Sequence, residues 1–189
     1  MKRKIAISAL ILFVMVFAVS IEPVLADYNS STNPASIGDP VRSMVELGSV
    51  YSNIYDITIT VVETVRGKKA MEMLKKANAK NEKPPKGYEY LLVRVKFDIK
   101  GRAVSDTLAF DIGTEPLQWV ALTSELMEYP QISVTVPEPV LKGNLKSGDS
   151  LEGWAAFAVE KSDSRPVMVF DPDSGGATGR GRTLFFKLY

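Results

Sequence analysis

Positively charged side chains are concentrated between Arg66 and Lys86. This segment holds eight basic and two acidic residues, a net charge of +6 in 21 residues. Basic side chains attract carboxylates and phosphates, most strongly at low salt. A solvated helix face accounts for the same charges and is the interpretation we favour at this point. The candidates for contact with an anionic envelope polymer or with lipid headgroups are Arg66, Lys68, Lys69, Lys75, Lys76 and Lys80.

A second group of cations lies near the end of the chain, in a glycine-rich segment. Residues 176–183 read Gly-Ala-Thr-Gly-Arg-Gly-Arg-Thr and approximate a phosphate-binding loop, with Arg182 in the place of the usual lysine. Such a loop needs a helix after it, whereas residues 184–188 have the composition of a strand. The segment therefore predicts a hairpin connection, in which Arg180 and Arg182 could still hold an anionic partner.

A serine motif occurs later than it does in enzymes that use it. Gly148-Asp149-Ser150-Leu151 has the residues of the nucleophile block of the GDSL-type esterases. The serine of such enzymes needs a base to take its proton, and the chain has no histidine. Gly148 and Asp149 are also typical turn residues. We therefore expect a turn that leads into a strand, and no catalytic role for Ser150.

Two acidic residues suggest a calcium loop only in part. Asp171 and Asp173 precede Gly175 and Gly176, but the later ligands and the terminal glutamate of the calcium-loop consensus are missing. Asp-Pro-Asp-Ser-Gly is also a common turn sequence. The sequence predicts no metal and no cofactor.

The composition excludes several classes of enzyme and partner. Without histidine or cysteine, Ser-His-Asp, Cys-His and histidine-ligated zinc sites cannot form. Paired carboxylates could still support a hydrolase, although no pair in the sequence is a defensible candidate. A nearly neutral chain, with 23 basic and 22 acidic residues, gives no reason to expect nucleic acid as a partner.

The first 26 residues have the pattern of an export signal. Lys2, Arg3 and Lys4 precede an apolar run, and the small residues before Asp27 suit a signal peptidase. A retained membrane anchor is the alternative, because residues 5–21 approach the length of a spanning helix. A lipid-anchored lipoprotein is excluded because there is no cysteine. We expect a secreted protein, or a membrane-anchored one if the segment is not removed.

The remaining chain is predicted to be a short spacer followed by one domain. Residues 27–39 are small and polar and predict a spacer, whose Asn29 begins a formal glycosylation sequon. Residues 40–189 have enough length for a single hydrophobic core that holds without disulfides.

Alternation of apolar and polar residues predicts strands through most of this domain. The pattern is clearest in residues 88–100, where charged residues occupy every second position, and is also present in residues 55–65. Many short strands separated by turn residues are typical of a sandwich or barrel. Weaker strands are predicted at residues 108–112, 117–122, 132–136, 151–159, 167–170 and 183–188.

One helix is predicted between Gly67 and Asn81. Ala70, Met73, Leu74 and Ala77 recur at helical spacing and indicate a core-facing stripe rather than a ligand site. Pro84 and Pro85 are expected to stop the helix.

Several of these segments resemble one protein family. Asn33-Pro34-Ala35, Val65-Arg66-Gly67 and the run from Gly87 to Val93, with the late Gly153-Trp154, are similar to the telokin-like secreted domains. That immunoglobulin-like family, mostly of unknown function, is related to a mycobacterial immunoprotective extracellular antigen. The resemblance covers residues 33–189 and implies an exported immunoglobulin-like β-sandwich without catalytic residues. Neither tryptophan can pack on the disulfide of an immunoglobulin domain proper, because the chain has no cysteine.

Taken together, these patterns predict an all-β, immunoglobulin-like sandwich with one short helix inserted between early strands. They predict a non-enzymatic binding module at or outside the cell surface, with a protein or an anionic envelope polymer as its partner. The alternatives are an envelope-anchored structural domain and a carboxylate-based hydrolase.

Overall fold

A computed structural model describes residues 29–48, 53–102, 108–113, 118–173 and 179–189. The predicted export signal lies outside these residues. Ten strands and one helix are described in this part of the chain. In order they are β1 (Val41–Leu47), β2 (Asn53–Arg66), α1 (Lys68–Ala77), β3 (Tyr88–Gly101), β4 (Phe110–Ile112), β5 (Trp119–Leu122), β6 (Gly143–Leu145), β7 (Ser150–Glu160), β8 (Val167–Phe170), β9 (Gly179–Gly181) and β10 (Leu184–Lys187).

The fold is all-β with one short helix, as the alternating patterns predict. The largest sheet has five strands in the order β7-β3-β2-β1-β9, and a second sheet has the order β10-β8-β5. β4 and β6 form a separate pair. Each pair of neighbouring strands is antiparallel.

The main core lies between the five-stranded and the three-stranded sheets. β2 and β3 place every second side chain in this core, including the fully buried Ile59 and Phe97. From the smaller sheet, Phe170 meets Phe97 edge to face, with ring centroids 5.7 Å apart. The period-two pattern predicted for β2 and β3 is therefore confirmed.

A second cluster of apolar side chains covers the opposite face of the large sheet. Ala70 and Leu74 of α1 are fully buried there against Leu92 and Trp154. This confirms that the apolar stripe of the helix belongs to the core. No described helix has the length and the hydropathy needed to cross a bilayer.

The helix lies between Gly67 and Asn81 as predicted, but it ends at Ala77, well before the two prolines that were expected to stop it. Asn78 adopts an extended backbone, with φ −151° and ψ 116°. The Asn81 side chain then donates a hydrogen bond from Nδ2 to the carbonyl oxygen of Leu74, at 2.8 Å. This buried amide is a second donor to the Leu74 oxygen, which also accepts from the Asn78 backbone amide at 2.9 Å in the last bond of the helix.

The residues predicted as a spacer are instead part of the fold from residue 29 onward. Asn29 is buried, donates from Nδ2 to the Phe185 carbonyl at 2.7 Å and accepts from the Phe185 amide at 2.9 Å. Ala35 also pairs with this strand, because its amide donates to the Phe185 carbonyl at 2.9 Å and its carbonyl accepts from the Lys187 amide at 2.8 Å. The prediction failed because one asparagine amide can replace a strand partner. A glycan on this Nδ2 is incompatible with the bond to Phe185.

The weaker strands are only partly as predicted. Residues 110–112, 119–122, 150–160, 167–170 and 184–187 form strands within or close to the expected ranges, and residue 117 lies outside the described residues. Residues 132–136 alternate between half-buried and exposed side chains but join no sheet. β1, β6 and β9 are not predicted by the sequence patterns.

Candidate anion-binding site

The structure divides the predicted cationic residues into two distant groups. Glu46 of β1 lies opposite both Arg180 of β9 and Ile54 of β2. Ile54 and Arg66 are twelve residues apart on β2, which is about 40 Å at the usual rise of a strand. Arg180 and Arg182 therefore lie near one end of the large sheet. The cations of α1 lie near the other end and belong to a separate surface.

We call the end of the large sheet that carries α1 the helix end. Several cations there already have partners. Arg66 Nε lies 2.6 Å from Glu89 Oε1, and Arg66 Nη2 donates to the Glu160 carbonyl. Lys68 lies 3.8 Å from Glu72, an exposed pair one helical turn apart. Lys75 Nζ donates to the Ala79 carbonyl at 2.9 Å. This region is a convex helix surface, and an exposed lysine pair on it contributes little binding energy.

At the other end, cations surround two adjoining grooves of about 450 and 600 Å³. The smaller groove lies beside the start of β1, and the larger one lies over the outer face of β1. Arg42 and Arg182 line both grooves, so they form the wall between them. We call this surface the arginine grooves. Their basic residues are Arg42, Arg102, Arg180, Arg182 and Lys187, and their acidic residues are Asp39, Glu46 and Asp56.

Strand pairing determines which side chains reach these grooves. Alternation along β1 buries Val45 and exposes Arg42 and Met44 on the outer face. β9 can pair with β1 only because residue 181 is glycine, since a Cβ there would lie 2.7 Å from the Met44 carbonyl oxygen. This close approach brings Arg180 to the same outer face as Arg42.

The charges in the grooves are not balanced. Arg102 holds Asp56 through Nη2 and Nε, and its Nη2 lies 2.6 Å from Asp56 Oδ1. The hydrogen bonds from Arg102 hold the pKa of Asp56 below its usual value. Arg42 and Arg180 are exposed and make no ion pair with any described residue, although Glu46 lies opposite Arg180.

Arg182 and Lys187, two further cations of the grooves, contact the segment that precedes β1. Arg182 Nη2 donates to the Asn29 carbonyl at 3.2 Å. Lys187 Nζ lies 3.3 Å from Ser36 Oγ. The grooves therefore depend on the anchoring of residues 29–36 to β10. Two apolar side chains also line the larger groove, because Met44 is 50% exposed and Ile54 is 42% exposed.

A separate acidic centre holds a loop in place near the helix end. Asp163 accepts hydrogen bonds from the Tyr129 hydroxyl, at 2.7 Å, and from the amides of Ser124 and Arg165. Burial alone would raise the pKa of Asp163, but these hydrogen bonds lower it overall. Burial and the bond to Asp163 raise the pKa of Tyr129. We interpret this centre as structural, because each oxygen of the carboxylate is already occupied.

The remaining motifs are seen in turns and strands. Gly148 has a φ of +91° and Asp149 closes a turn on Lys146, so Ser150 is the exposed first residue of β7. Gly179–Gly181 is β9 and Leu184 begins β10, so no helix follows the glycine-rich segment. Residues 174–178 lie outside the described residues.

The two acidic residues of the calcium-like sequence are engaged in a local turn. Asp171 Oδ1 accepts a hydrogen bond from the Asp173 amide at 3.1 Å. The described part of the chain contains no group of three or more carboxylates that could hold a metal ion.

The sequence patterns did not identify Arg42 or Arg102 as candidate residues. Arg42 lies in β1, a strand whose inward positions include Ser43 and so lack a continuous apolar alternation. Arg102 directly follows β3. The signal that was available is the alternation of Val41, Val45 and Leu47 on one side of β1.

Comparisons with other proteins do not identify a function for this site. The chain matches no model of a known protein family and no curated protein. One solved structure that it resembles is described as a "putative lipoprotein (ycdA)" from Bacillus subtilis, with a TM-score of 0.43 and 14% sequence identity. The match covers 69% of this chain, which spans 36% of that protein. Such a distant likeness does not transfer a function.

Proposed function

We propose that this protein is an exported, non-catalytic binding module whose arginine grooves hold an anionic polymer at the cell surface. We further propose that its sheets form an immunoglobulin-like sandwich of the telokin-like type. The export pattern of residues 1–26 supports the location, and the absence of histidine and cysteine from the chain supports a non-catalytic role. The core shared by the antiparallel sheets supports the sandwich.

One observation carries the proposal. Arg42 and Arg180 are both exposed on adjoining grooves and have no carboxylate within ion-pair distance among the described residues. A guanidinium group offers five donors in a planar fork, which matches carboxylate and phosphate oxygens. Arginine and lysine side chains have similar rotamer entropy, but the planar guanidinium is pre-organised, so less entropy is lost for each hydrogen bond than with the lysines of α1.

The nature of the polymer follows from the same chemistry. Repeated phosphates or carboxylates would occupy several cations in turn, and binding would weaken as salt rises. The exposed Met44 and Ile54 give the larger groove an apolar floor between its charges. A flexible chain with alternating charged and apolar parts suits such a surface.

Charge reversal at each end of the sheet tests the proposal. The probe is fluorescently labelled linear polyphosphate, with polyglutamate as a second arm that distinguishes phosphate from carboxylate. We expect Arg42→Glu with Arg180→Glu to weaken polyphosphate binding by at least about 30-fold, because reversed charges repel the polymer. Lys75→Glu with Lys76→Glu is the matched control and should change the affinity by less than about threefold.

Two outcomes would contradict the proposal. One is equal loss of affinity in both double variants, which would indicate attraction by the whole molecule rather than by a site. The other is no binding of either polymer by the wild-type protein at low salt. Circular dichroism of each variant checks that the fold is intact.

A further inference from the structure

The edge of β7 is only partly covered by the rest of the chain. Trp154 donates from its amide to the Pro139 carbonyl at 2.8 Å and accepts from the Leu141 amide at 2.9 Å, on the side away from β3. Alternate residues of a strand direct their backbone groups to the same side. The amide and carbonyl of Ala156 therefore face this open edge, and no described residue bonds them.

A second extended segment with unpaired backbone borders the same place. Ile132, Val134 and Val136 are half-buried and the residues between them are exposed, as in a strand. Thr135 is fixed by Asn81, which accepts from its amide at 2.8 Å and donates to its carbonyl at 2.7 Å. From residue 131 to residue 134, no backbone group bonds to a described residue.

A crevice of about 240 Å³, lined mostly by apolar residues, lies between these two segments. This volume exceeds the roughly 150 Å³ of an apolar cavity that accepts benzene. Both faces of the β7 edge contribute to it, through Ala156 on one side and Phe157 on the other. Trp119 and Trp154 also line the crevice, and Trp119 Nε1 is buried without a hydrogen-bond partner in the described structure.

Carboxylates stand at both ends of the bordering segment. Glu128 Oε1 accepts from Gln131 Nε2 and Glu138 Oε2 accepts from the Val140 amide, each at 3.2 Å. Both glutamates are exposed, and neither forms an ion pair with a described residue. The ends of the crevice therefore favour positive charge, in contrast to the arginine grooves.

From these features we propose a second binding site, which takes an extended peptide segment of a partner protein. The peptide adds to the edge of β7 and bonds the amide and carbonyl of Ala156. It places one large apolar side chain in the crevice and basic residues near Glu128 and Glu138. Open backbone groups select a peptide strand over a lipid or a sugar, because they need donors and acceptors at strand spacing.

The test uses a capped seven-residue peptide with lysine at both ends, alternating threonine and valine, and a central leucine. Trp119 and Trp154 are the only tryptophans of the chain, so its intrinsic fluorescence reports on the crevice. We expect saturable binding, weakened at least about tenfold by backbone N-methylation, which removes the hydrogen bonds of the peptide. Replacing the lysines with glutamates should weaken binding about threefold or more.

A protein variant tests the same edge. Ala156→Pro removes an amide that faces away from β3, and proline is tolerated at such positions. It should weaken the peptide at least about tenfold, whereas Ser150→Pro, at the exposed start of β7, should leave the affinity unchanged. If Ala156→Pro does not fold, the N-methylated peptide on the wild-type protein still decides the question.

Three results would overturn the proposal. Equal binding of the N-methylated peptide would show that backbone pairing is not involved, and no fluorescence response would show that the crevice is not used. Sedimentation of the free protein as a dimer that Ala156→Pro dissociates would assign the edge to a second copy of this chain. Polyphosphate binding is measured in a separate experiment. None of these three results would therefore bear on the proposal for the arginine grooves.

Discussion

The two ends of the large sheet are both rich in cations, yet they differ in how the charges are held. At the helix end, lysines project from the convex surface of α1, and Arg66 and Lys68 already have acidic partners. At the other end, Arg42 and Arg180 project from paired strands into grooves and lack such partners among the described residues. Concave shape and unpaired charge, rather than the density of charge, distinguish the candidate site.

The cations of the helix end are easier to identify in the sequence than those of the arginine grooves. Its cations are consecutive in the chain, with +6 in 21 residues. The arginine grooves combine residues 29–46 with Ile54, Asp56, Arg102 and residues 180–187, which lie far apart in the sequence. A density of charge that exists only in space cannot be read from a window along the chain.

The two ends of the large sheet are expected to act independently, and the largest effect that tests this is a loss of stability at the helix end. Leu74 is fully buried in the cluster that holds α1, so Leu74→Ala should lower the free energy of unfolding by about 3 kcal/mol. Polyphosphate affinity should not change, because the grooves lie at the opposite end. Urea unfolding measures the first quantity, with Lys76→Ala as an exposed control on the same helix. A loss well below 1 kcal/mol, or a parallel loss of affinity, would count against separate ends.

A smaller loss of stability is expected at the end of the large sheet that carries the arginine grooves. Asn29→Ala leaves the Phe185 amide without its partner and the Phe185 carbonyl with only the Ala35 amide, and it should cost about 1–2 kcal/mol. It should also weaken polyphosphate binding a few-fold, because Asn29 positions the carbonyl that holds Arg182. Urea unfolding and the anisotropy titration measure the two effects. Asn29→Asp keeps one of the two side-chain bonds and should be intermediate, whereas wild-type behaviour of Asn29→Ala would refute the anchoring role.

The smallest effect is a pH dependence that belongs to the helix end. The folded pKa of Asp163 lies below its unfolded value of about 3.9. Its stabilisation is therefore complete above about pH 4 and is lost as the pH falls through the folded pKa. Because the group is partly exposed, we expect less than about 1 kcal/mol. Acid titration of stability should be flatter in Asp163→Asn, and an unchanged slope would disprove this contribution.

The long strands were predictable because their physics is local. In β3, apolar and charged residues alternate through Lys100, and only a strand places Lys96 and Lys100 in water while Phe97 is buried. The stripe of α1 was readable for the same reason. Its end was not, because it depends on Asn81, whose amide serves the helix and Thr135 at once.

The candidate site was only half predictable. Arg180 and Arg182 were identified from a glycine-rich motif, which predicted a hairpin connection and not the pairing of β9 with β1. β9 has three residues and exists because Gly181 allows close pairing with β1, a contact that no local pattern encodes. Residues 132–136 show the converse, since their side chains alternate but their backbone pairs with no described strand.

Hydrogen–deuterium exchange of the wild-type protein, with and without polyphosphate at low salt, tests the location of the site most directly. We predict slower exchange in peptides that cover residues 41–47 and 179–187, and no change in residues 68–80. Protection confined to residues 68–80, with β1 and β9 unaffected, would contradict the assignment of anion binding to the arginine grooves.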